Sequence, residues 1–181
     1  MRRPQLPESP AACFALGLLL LMPLPAAAQD VTEPALKAAF IYNFAKFTEW
    51  PADVMSTSEP LVLCVIGNPA IGDALERVVQ GRTLAGHSIE VSRAEPAGPP
   101  RAGCHILYVS GMTAEQATKL VAGLRDAPVL TISDVTGFTE LGGMAQFFFK
   151  HGQLRFSVRV EAARRARLQI SSRLLALATA Q

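Results

Sequence analysis

Three short apolar runs, separated by segments with helical features, limit the folds open to this chain more than any other feature does. The runs are LVLCVIG (61–67), CHILYVS (104–110) and PVLTISD (128–134). Apolar residues at successive positions indicate strands that are buried on both faces, which is typical of parallel strands covered by helices. The intervening segments begin with the helix-capping residues Asn68 and Thr113. The pattern predicts an α/β sheet that is mostly parallel.

A helix is predicted before this alternation, and a partly exposed strand is predicted within it. Residues 34–50 start at a proline, which suits a first helical turn, and carry apolar side chains at helical spacing. HSIEVSRAE (87–95) instead alternates Ile89 and Val91 with polar residues. That alternation indicates a half-exposed strand at an edge of the sheet.

The C-terminal part of the chain predicts an antiparallel hairpin followed by one helix. QFFFK and QLRFSVRV are separated by His151 and Gly152, a two-residue turn suited to a tight hairpin. Residues 161–180 place apolar side chains on one helical side and therefore predict a single amphipathic helix. These side chains belong to Ala166, Ile170, Leu174 and Leu177. The predicted fold is one three-layer, Rossmann-like domain, whose mostly parallel sheet carries flanking helices and a C-terminal antiparallel hairpin.

The first 28 residues have the three parts of a secretory signal peptide. Arg2 and Arg3 supply the positive start, residues 11–21 form an apolar run, and small alanines precede the expected cut. The alternative is an uncleaved membrane anchor, but the apolar run is about half of the ~20 residues that a bilayer-spanning helix needs. The prediction is a cleaved leader at 1–28 and a periplasmic protein with no direct membrane insertion.

The predicted mature domain, residues 29–181, is nearly neutral. Removing Arg2, Arg3 and Glu8 leaves 15 of the 17 Lys and Arg residues and 14 of the 15 Asp and Glu residues, a net charge of +1. Nucleic-acid binding depends on a strong positive field along the phosphate backbone. The charge therefore gives no reason to expect nucleic acid as a partner.

Two of the three cysteines, Cys64 and Cys104, lie in the predicted mature chain, and three roles are open for them. An even pair in an exported protein suggests a disulfide. Two buried free thiols would be the ordinary interpretation for a cytosolic protein. A catalytic pair of Cys104 with His105 is the third alternative, although neighbours on a strand point to opposite faces.

The ends of two predicted strands offer candidate ligand-binding residues, because α/β folds commonly bind ligands beyond the carboxyl ends of their strands. GNPAIGDA places glycines after a buried strand but lacks the lysine and hydroxyl of a P-loop, so a plain strand-to-helix turn is the alternative. An aspartate before a turn also commonly bonds the local backbone. The candidates are Gly67, Asn68, Ser133 and Asp134. No metal-ligand spacing occurs in the sequence, and neither a metal nor a cofactor is predicted.

Arginines cluster near the C-terminus and suggest a partner-binding surface. Arg155 and Arg159 are expected on one strand face, and Arg164 and Arg165 follow in the predicted helix. The alternative is a solvated helix face without a partner.

Five blocks follow one another along nearly the whole predicted mature chain: KAAFIYNFAKFTEWP, LCVIG, CHILYVS, PVLTISDVTGFTELGGM and RFSVRVEAARRARLQISSRLLALA. Together they closely resemble the YfiR family of exported bacterial proteins. The resemblance implies an α/β periplasmic regulator that catalyses nothing. The family's best-known member represses an inner-membrane diguanylate cyclase by binding the periplasmic sensing region of that enzyme. Such a protein controls cyclic di-GMP and biofilm formation. The resemblance also implies that Cys64 and Cys104 match the family's cysteine pair and that redox sensitivity accompanies it.

Two positions depart from the pattern of that family. Arg159 stands where the closing strand usually has asparagine, and Arg167 stands where the last helix usually has glycine. Both add charge near the expected interaction surface, which leaves the identity of the partner open.

Two functional hypotheses follow from these observations. The first is a non-enzymatic periplasmic repressor that binds the sensor region of a membrane-bound diguanylate cyclase or of another signalling protein, and a homodimer is compatible with it. The alternative is a periplasmic small-ligand sensor, with the ligand over the strand ends named above.

Overall fold

The computed structural model describes residues 31–56, 59–94 and 103–179 of the 181-residue chain. The leader predicted for residues 1–28 lies outside these ranges and stays a prediction. Within them, every helix is too short or insufficiently apolar to cross a bilayer.

The order of helices and strands confirms the predicted α/β fold. Each of the three apolar runs forms a strand, and each capped segment between them contains a helix. Asn68 and Thr113 both accept a hydrogen bond from a backbone N–H in the first turn of the helix that they cap. The elements are α1 (Glu33–Lys46), β1 (Thr48–Glu49), β2 (Leu61–Ile66), α2 (Pro69–Val79), β3 (Thr83–Leu84), β4 (His87–Ala94), β5 (Ile106–Val109), α3 (Ala114–Gly123), β6 (Leu130–Ser133), β7 (Ala145–Lys150), β8 (Gln153–Val158), α4 (Val160–Arg165), β9 (Gln169–Ile170) and α5 (Ser172–Leu175).

Seven strands form the main sheet in the order β3-β4-β2-β5-β6-β7-β8. The five central strands run parallel, whereas β3 and β8 are antiparallel edge strands. The predicted partly exposed strand is β4, which lies one position inside the edge because the two-residue β3 flanks its start. In the sheet, β4 lies on one side of β2, and β5, the next strand along the chain, lies on the other side of β2. The strand order therefore reverses between β2 and β5, which makes this the switch point of the sheet.

The sheet separates two buried layers, as the three-layer prediction requires. Successive residues of a strand point to opposite faces. In β2, Leu63 and Val65 pack with α1 and α2, whereas Cys64 and Ile66 pack with α3. Each fully buried aliphatic side chain of this kind contributes about 2 kcal/mol. Burial on both faces therefore explains why the central strands are apolar throughout.

The predicted hairpin is present between β7 and β8. His151 and Gly152 form its two-residue turn with φ values of 52° and 74°, the positive values that a tight hairpin turn needs. The register pairs Phe147 with Phe156. Phe156 meets the ring of Phe44 from α1 at a centroid distance of 5.1 Å, so aromatic packing attaches the hairpin to the first helix.

The prediction of a single C-terminal helix over residues 161–180 is wrong. The chain forms α4, then β9, then the short helix α5. β9 pairs with β1 through Thr48 and Ile170, which closes a small second sheet. Among the apolar residues predicted to share one side of that helix, Ala166 and Leu174 are buried, but Leu177 is 67% exposed.

Arg167 marks the point where the predicted helix breaks. Its φ is +60°, in the left-handed region, and the N–H groups of Arg167 and Leu168 bond back to the carbonyls of Arg164 and Ala163. These two bonds make a Schellman motif, which ends many helices and favours glycine at the left-handed position. The left-handed φ thus gives a physical reason for the glycine that the family resemblance leads us to expect at this position. The Arg167 guanidinium compensates in part by bonding both carboxylate oxygens of Asp53, at 3.1 and 2.9 Å.

We expect Arg167→Gly to be more stable than Arg167→Ala by about 1 kcal/mol, because glycine adopts a left-handed φ without the clash of a Cβ atom. Both variants lose the Asp53 ion pair, so their difference isolates the backbone. Urea unfolding of the two variants measures it. At Arg164, inside α4, the same pair of substitutions should rank in the opposite order, since alanine is the better helix former by about 1 kcal/mol. If the alanine variant is the more stable of the two at both positions, the helix is continuous through Arg167.

Candidate functional site

A disulfide joins Cys64 in β2 to Cys104, which lies just before β5. Their Cα atoms are 5.8 Å apart, and both side chains are buried in the layer beneath α3. The parallel pairing of β2 with β5 brings the two residues together. Because each sulfur is bonded to the other, neither is a free thiol or a nucleophile. Of the three roles open from the sequence, the structure shows the disulfide.

His105 contacts the backbone of β2 and not a sulfur atom. Its Nδ1 atom accepts a hydrogen bond from the N–H of Val62 at 3.0 Å, which requires an unprotonated nitrogen. Its ring meets Trp50 edge-on at 6.1 Å between centroids. Burial lowers the pKa of His105, because the charged ring would lose its hydration. His105 therefore has a structural role where β2 and β5 begin to pair.

The first pair of ligand candidates, Gly67 and Asn68, lies at the switch point of the sheet. Gly67 has a φ of +103°, and a Cβ added there would lie 2.2 Å from the carbonyl oxygen of Ser110. The N–H of Asn68 bonds Ser110 Oγ at 3.0 Å, and Asn68 Oδ1 accepts the N–H of Ala70 as the cap of α2. The two strand ends are therefore in direct contact here; Asn68 makes the bonds of a strand-to-helix turn, and Gly67 supplies the left-handed backbone of that turn.

Ser133 makes the local bonds expected of a turn residue. Its side chain is fully buried, and its Oγ donates to the carbonyl of Val109 at 2.9 Å while accepting the N–H of Val135 at 3.0 Å. Ligand binding by this hydroxyl remains a prediction, and it would have to replace one of these bonds.

Asp134 makes contacts that neither interpretation of its sequence position anticipated. Its Oδ2 atom accepts hydrogen bonds from Lys37 Nζ at 2.6 Å and from the Tyr108 hydroxyl at 3.0 Å. Lys37 projects from α1 and also pairs with Glu33 at 2.6 Å. The residues Lys37, Tyr108 and Asp134, called the polar triad below, thus connect the first helix to the carboxyl ends of β5 and β6.

The positive charge of the polar triad is carried by a buried side chain. The Lys37 side chain is only 7% exposed. Burial alone would lower its pKa, but hydrogen bonds and charges from Asp134 and Glu33 outweigh that effect and raise it. Burial, together with the charge of Asp134, raises the pKa of Tyr108, so the phenol stays neutral and donates a hydrogen bond to Asp134. Lys37 therefore remains charged, and its position depends on Asp134.

A cavity of about 310 Å³ adjoins the polar triad, beside β7. Asp134, Lys37, Gln146 and Phe148 are among its lining residues. Of the four strand-end candidates, Asp134 is the one that lines it, and Gly67 and Asn68 lie at the other strand end. Within the described ranges, His, Cys, Asp and Glu side chains form no group of three or more that could hold a metal ion.

The four arginine candidates divide between different surroundings. Arg155 is exposed on β8, where it bonds Gln153, and Arg164 is exposed on α4. Arg159 and Arg165 are also exposed, but they line a second cavity, between α3 and α4, together with Arg125. The structure thus brings two of the four candidates together and adds Arg125, which no pattern in the sequence indicates.

A known family matches most of the chain. The model of a family described as YfiR/HmsC-like matches residues 34–179, which covers α1 to α5. No curated protein matches the chain.

Asp134→Asn should lower the free energy of unfolding by about 3 kcal/mol, because it leaves the buried Lys37 ammonium facing a neutral amide. Glu33→Gln removes the other carboxylate, whose side chain is 54% exposed. That control should cost less than about 1 kcal/mol, as exposed ion pairs do. Chemical denaturation of both variants provides the comparison. Equal losses would show that the polar triad does not hold α1 in place.

Proposed function

This chain belongs to the YfiR/HmsC-like family, whose membership suggests a periplasmic regulator of diguanylate cyclase signalling, and from this premise we propose that it represses a membrane-bound diguanylate cyclase. In this proposal the protein binds the periplasmic sensor region of the cyclase and thereby limits cyclic di-GMP and biofilm formation. The observation that carries the proposal is the extent of the family match, which runs from the first helix to the last.

The contacts of the chemically reactive side chains support a binding role. The sulfurs of Cys64 and Cys104 are bonded to each other, and His105 accepts a bond from the backbone. Asp134 neutralises a buried lysine and accepts a hydrogen bond from the Tyr108 hydroxyl. Each of these groups would have to give up a structural contact before it could act on a substrate.

The disulfide supports a periplasmic location, because disulfides form and persist in oxidising compartments such as the bacterial periplasm. In the proposal, residues 1–28 direct export and are then removed, which leaves the domain 29–181 in the periplasm.

The partner-binding surface in this proposal lies on the hairpin and on α4. Arg155 and Arg164 are exposed there. Phe149, beside the hairpin turn, is 48% exposed. Arginine and large aromatic side chains provide much of the binding energy at protein interfaces. Arg159 and Arg165 belong to the same proposal as the part of the surface that continues into the α3–α4 cavity.

A second candidate function is a periplasmic small-ligand sensor, which the cavity beside the polar triad favours. Its volume of about 310 Å³ lies at the lower end of the range for ligand sites. A ligand that contacts Asp134 there would change the balance of conformations competent to bind a partner. In this second proposal the ligand also contacts Gly67, Asn68 and Ser133 at the neighbouring strand ends.

Deleting the gene should raise cyclic di-GMP in a host that carries the partner cyclase, because the repressor is lost. The wild-type gene should restore the low level, whereas the double variant Arg155→Glu/Arg164→Glu should restore it only in part, since it reverses charge on the proposed surface. Arg173→Glu, an exposed arginine of α5, is the matched control and should restore it fully. Cyclic di-GMP is quantified in extracts, and immunoblots of periplasmic fractions check that each variant is exported. An unchanged level after deletion would contradict the proposal.

A further inference from the structure

A second cavity, of about 340 Å³, lies between α3 and α4 and carries an unusual concentration of positive charge. Arg125 follows the end of α3, Arg159 joins β8 to α4, and Arg165 is the last residue of α4. One acidic side chain, Glu140, also lines the cavity. The lining therefore has three positive charges and one negative charge, a net charge of +2.

Two of these guanidinium groups are not neutralised by the protein. In the part of the chain that the structure describes, the ion pairs include neither Arg125 nor Arg165. Glu140 instead accepts a hydrogen bond from Thr139. Like charges that share one cavity repel each other, and an anion placed among them would relieve that repulsion.

The third guanidinium is held in position by the backbone. Arg159 Nη1 donates to the carbonyl oxygen of Thr139 at 2.9 Å. A guanidinium has five N–H donors, so this bond orients the group and leaves donors for a ligand. Arginine groups oriented in this way suit carboxylate and phosphate oxygens, which accept two parallel hydrogen bonds.

A buried hydroxyl and an apolar wall complete the lining. Thr131 is 3% exposed, and its Oγ accepts the N–H of Met144 at 3.1 Å. Because that bond uses the oxygen as acceptor, the hydroxyl proton is still available to a ligand. The buried side chains of Val121, Met144 and Ala162 form the apolar part of the wall. This apolar wall can pack against the carbon part of an organic ligand, while the three exposed arginines meet its charged groups.

From this combination we propose that the α3–α4 cavity binds a small organic anion with two or more negative charges, carried by carboxylate or phosphate groups. The cavity volume lies at the lower end of the range for ligand sites and is too small for a dinucleotide. A dianion would match the net charge of +2. The site is separate from the strand-end candidates Gly67, Asn68, Ser133 and Asp134, and binding there does not depend on repression of a cyclase.

Isothermal titration of the purified protein with succinate and with glycerol 3-phosphate tests the proposal, and acetate serves as the monovalent control. We expect saturable binding of at least one dianion, weakened by added sodium chloride. Arg125→Gln and Arg165→Gln should each weaken that binding about tenfold or more, because each removes charge-assisted hydrogen bonds. Arg164→Gln, on the same helix but outside the lining, is the matched control and should bind like the wild type.

The two dianions separate the two sources of charge, since binding of succinate alone indicates carboxylate recognition and binding of glycerol phosphate alone indicates phosphate recognition. No binding by either dianion overturns the proposal, and acidic side chains of a partner protein would then be the occupant to test. Acetate binding as tight as succinate binding also overturns it, as does an equal loss in Arg164→Gln and Arg165→Gln. Circular dichroism of each variant shows that the fold is retained, and failure to repress a cyclase would leave the titration result unaffected.

Discussion

The parallel pairing of β2 with β5, cross-linked by Cys64 and Cys104, is the constraint on which the rest of the structure depends. Parallel strands cannot be joined by a short turn, so residues far apart in sequence must meet before the sheet can form. The disulfide joins residues 40 positions apart at the start of this pairing. At its other end, Gly67 allows the close approach of Ser110. The centre of the sheet is thus fastened at both ends, and the strands on either side add to it.

The polar triad attaches the first helix to this framework. A buried ion pair does not by itself stabilise a fold strongly, because the desolvation cost offsets much of the attraction. It does select one arrangement, since Lys37 is neutralised only where Asp134 and Glu33 meet it. Phe44 then packs on the ring of Phe156, which places the hairpin against the same helix. The proposed partner surface on the hairpin is therefore connected to the crosslinked centre through α1.

Much of the fold could be predicted because its signals are local. The uninterrupted apolar runs indicated buried parallel strands, and His151-Gly152 indicated the hairpin, since a two-residue turn with positive φ restricts the neighbouring strands. The C-terminal helix was predicted wrongly because its apolar spacing is helical on both sides of the break. The left-handed φ of Arg167 ends the helix at this break. Arginine, unlike glycine, gives no indication in a sequence that the backbone is left-handed.

The candidate sites were harder to predict because their residues come from distant parts of the chain. Lys37 meets Asp134 across 97 positions, and its one local signal is a lysine on the same helical face as the buried Ile41. The α3–α4 cavity likewise combines Arg125 with Arg159 and Arg165. Spacing along one element cannot reveal such a group, because its members come from the end of α3 and from the start and end of α4, and only the fold brings these segments to one cavity.

The free energy of unfolding of the oxidised protein, compared with that of the double variant Cys64→Ser/Cys104→Ser, tests most directly whether the crosslinked strand pair holds the fold together. Trp50, the one tryptophan of the chain, contacts His105 beside the crosslink and supplies the fluorescence signal. Closing a loop of this length predicts that the variant loses about 4 kcal/mol. A loss below about 1 kcal/mol, smaller than disulfide removal ordinarily costs, or two titratable thiols in the unreduced protein, would contradict the account.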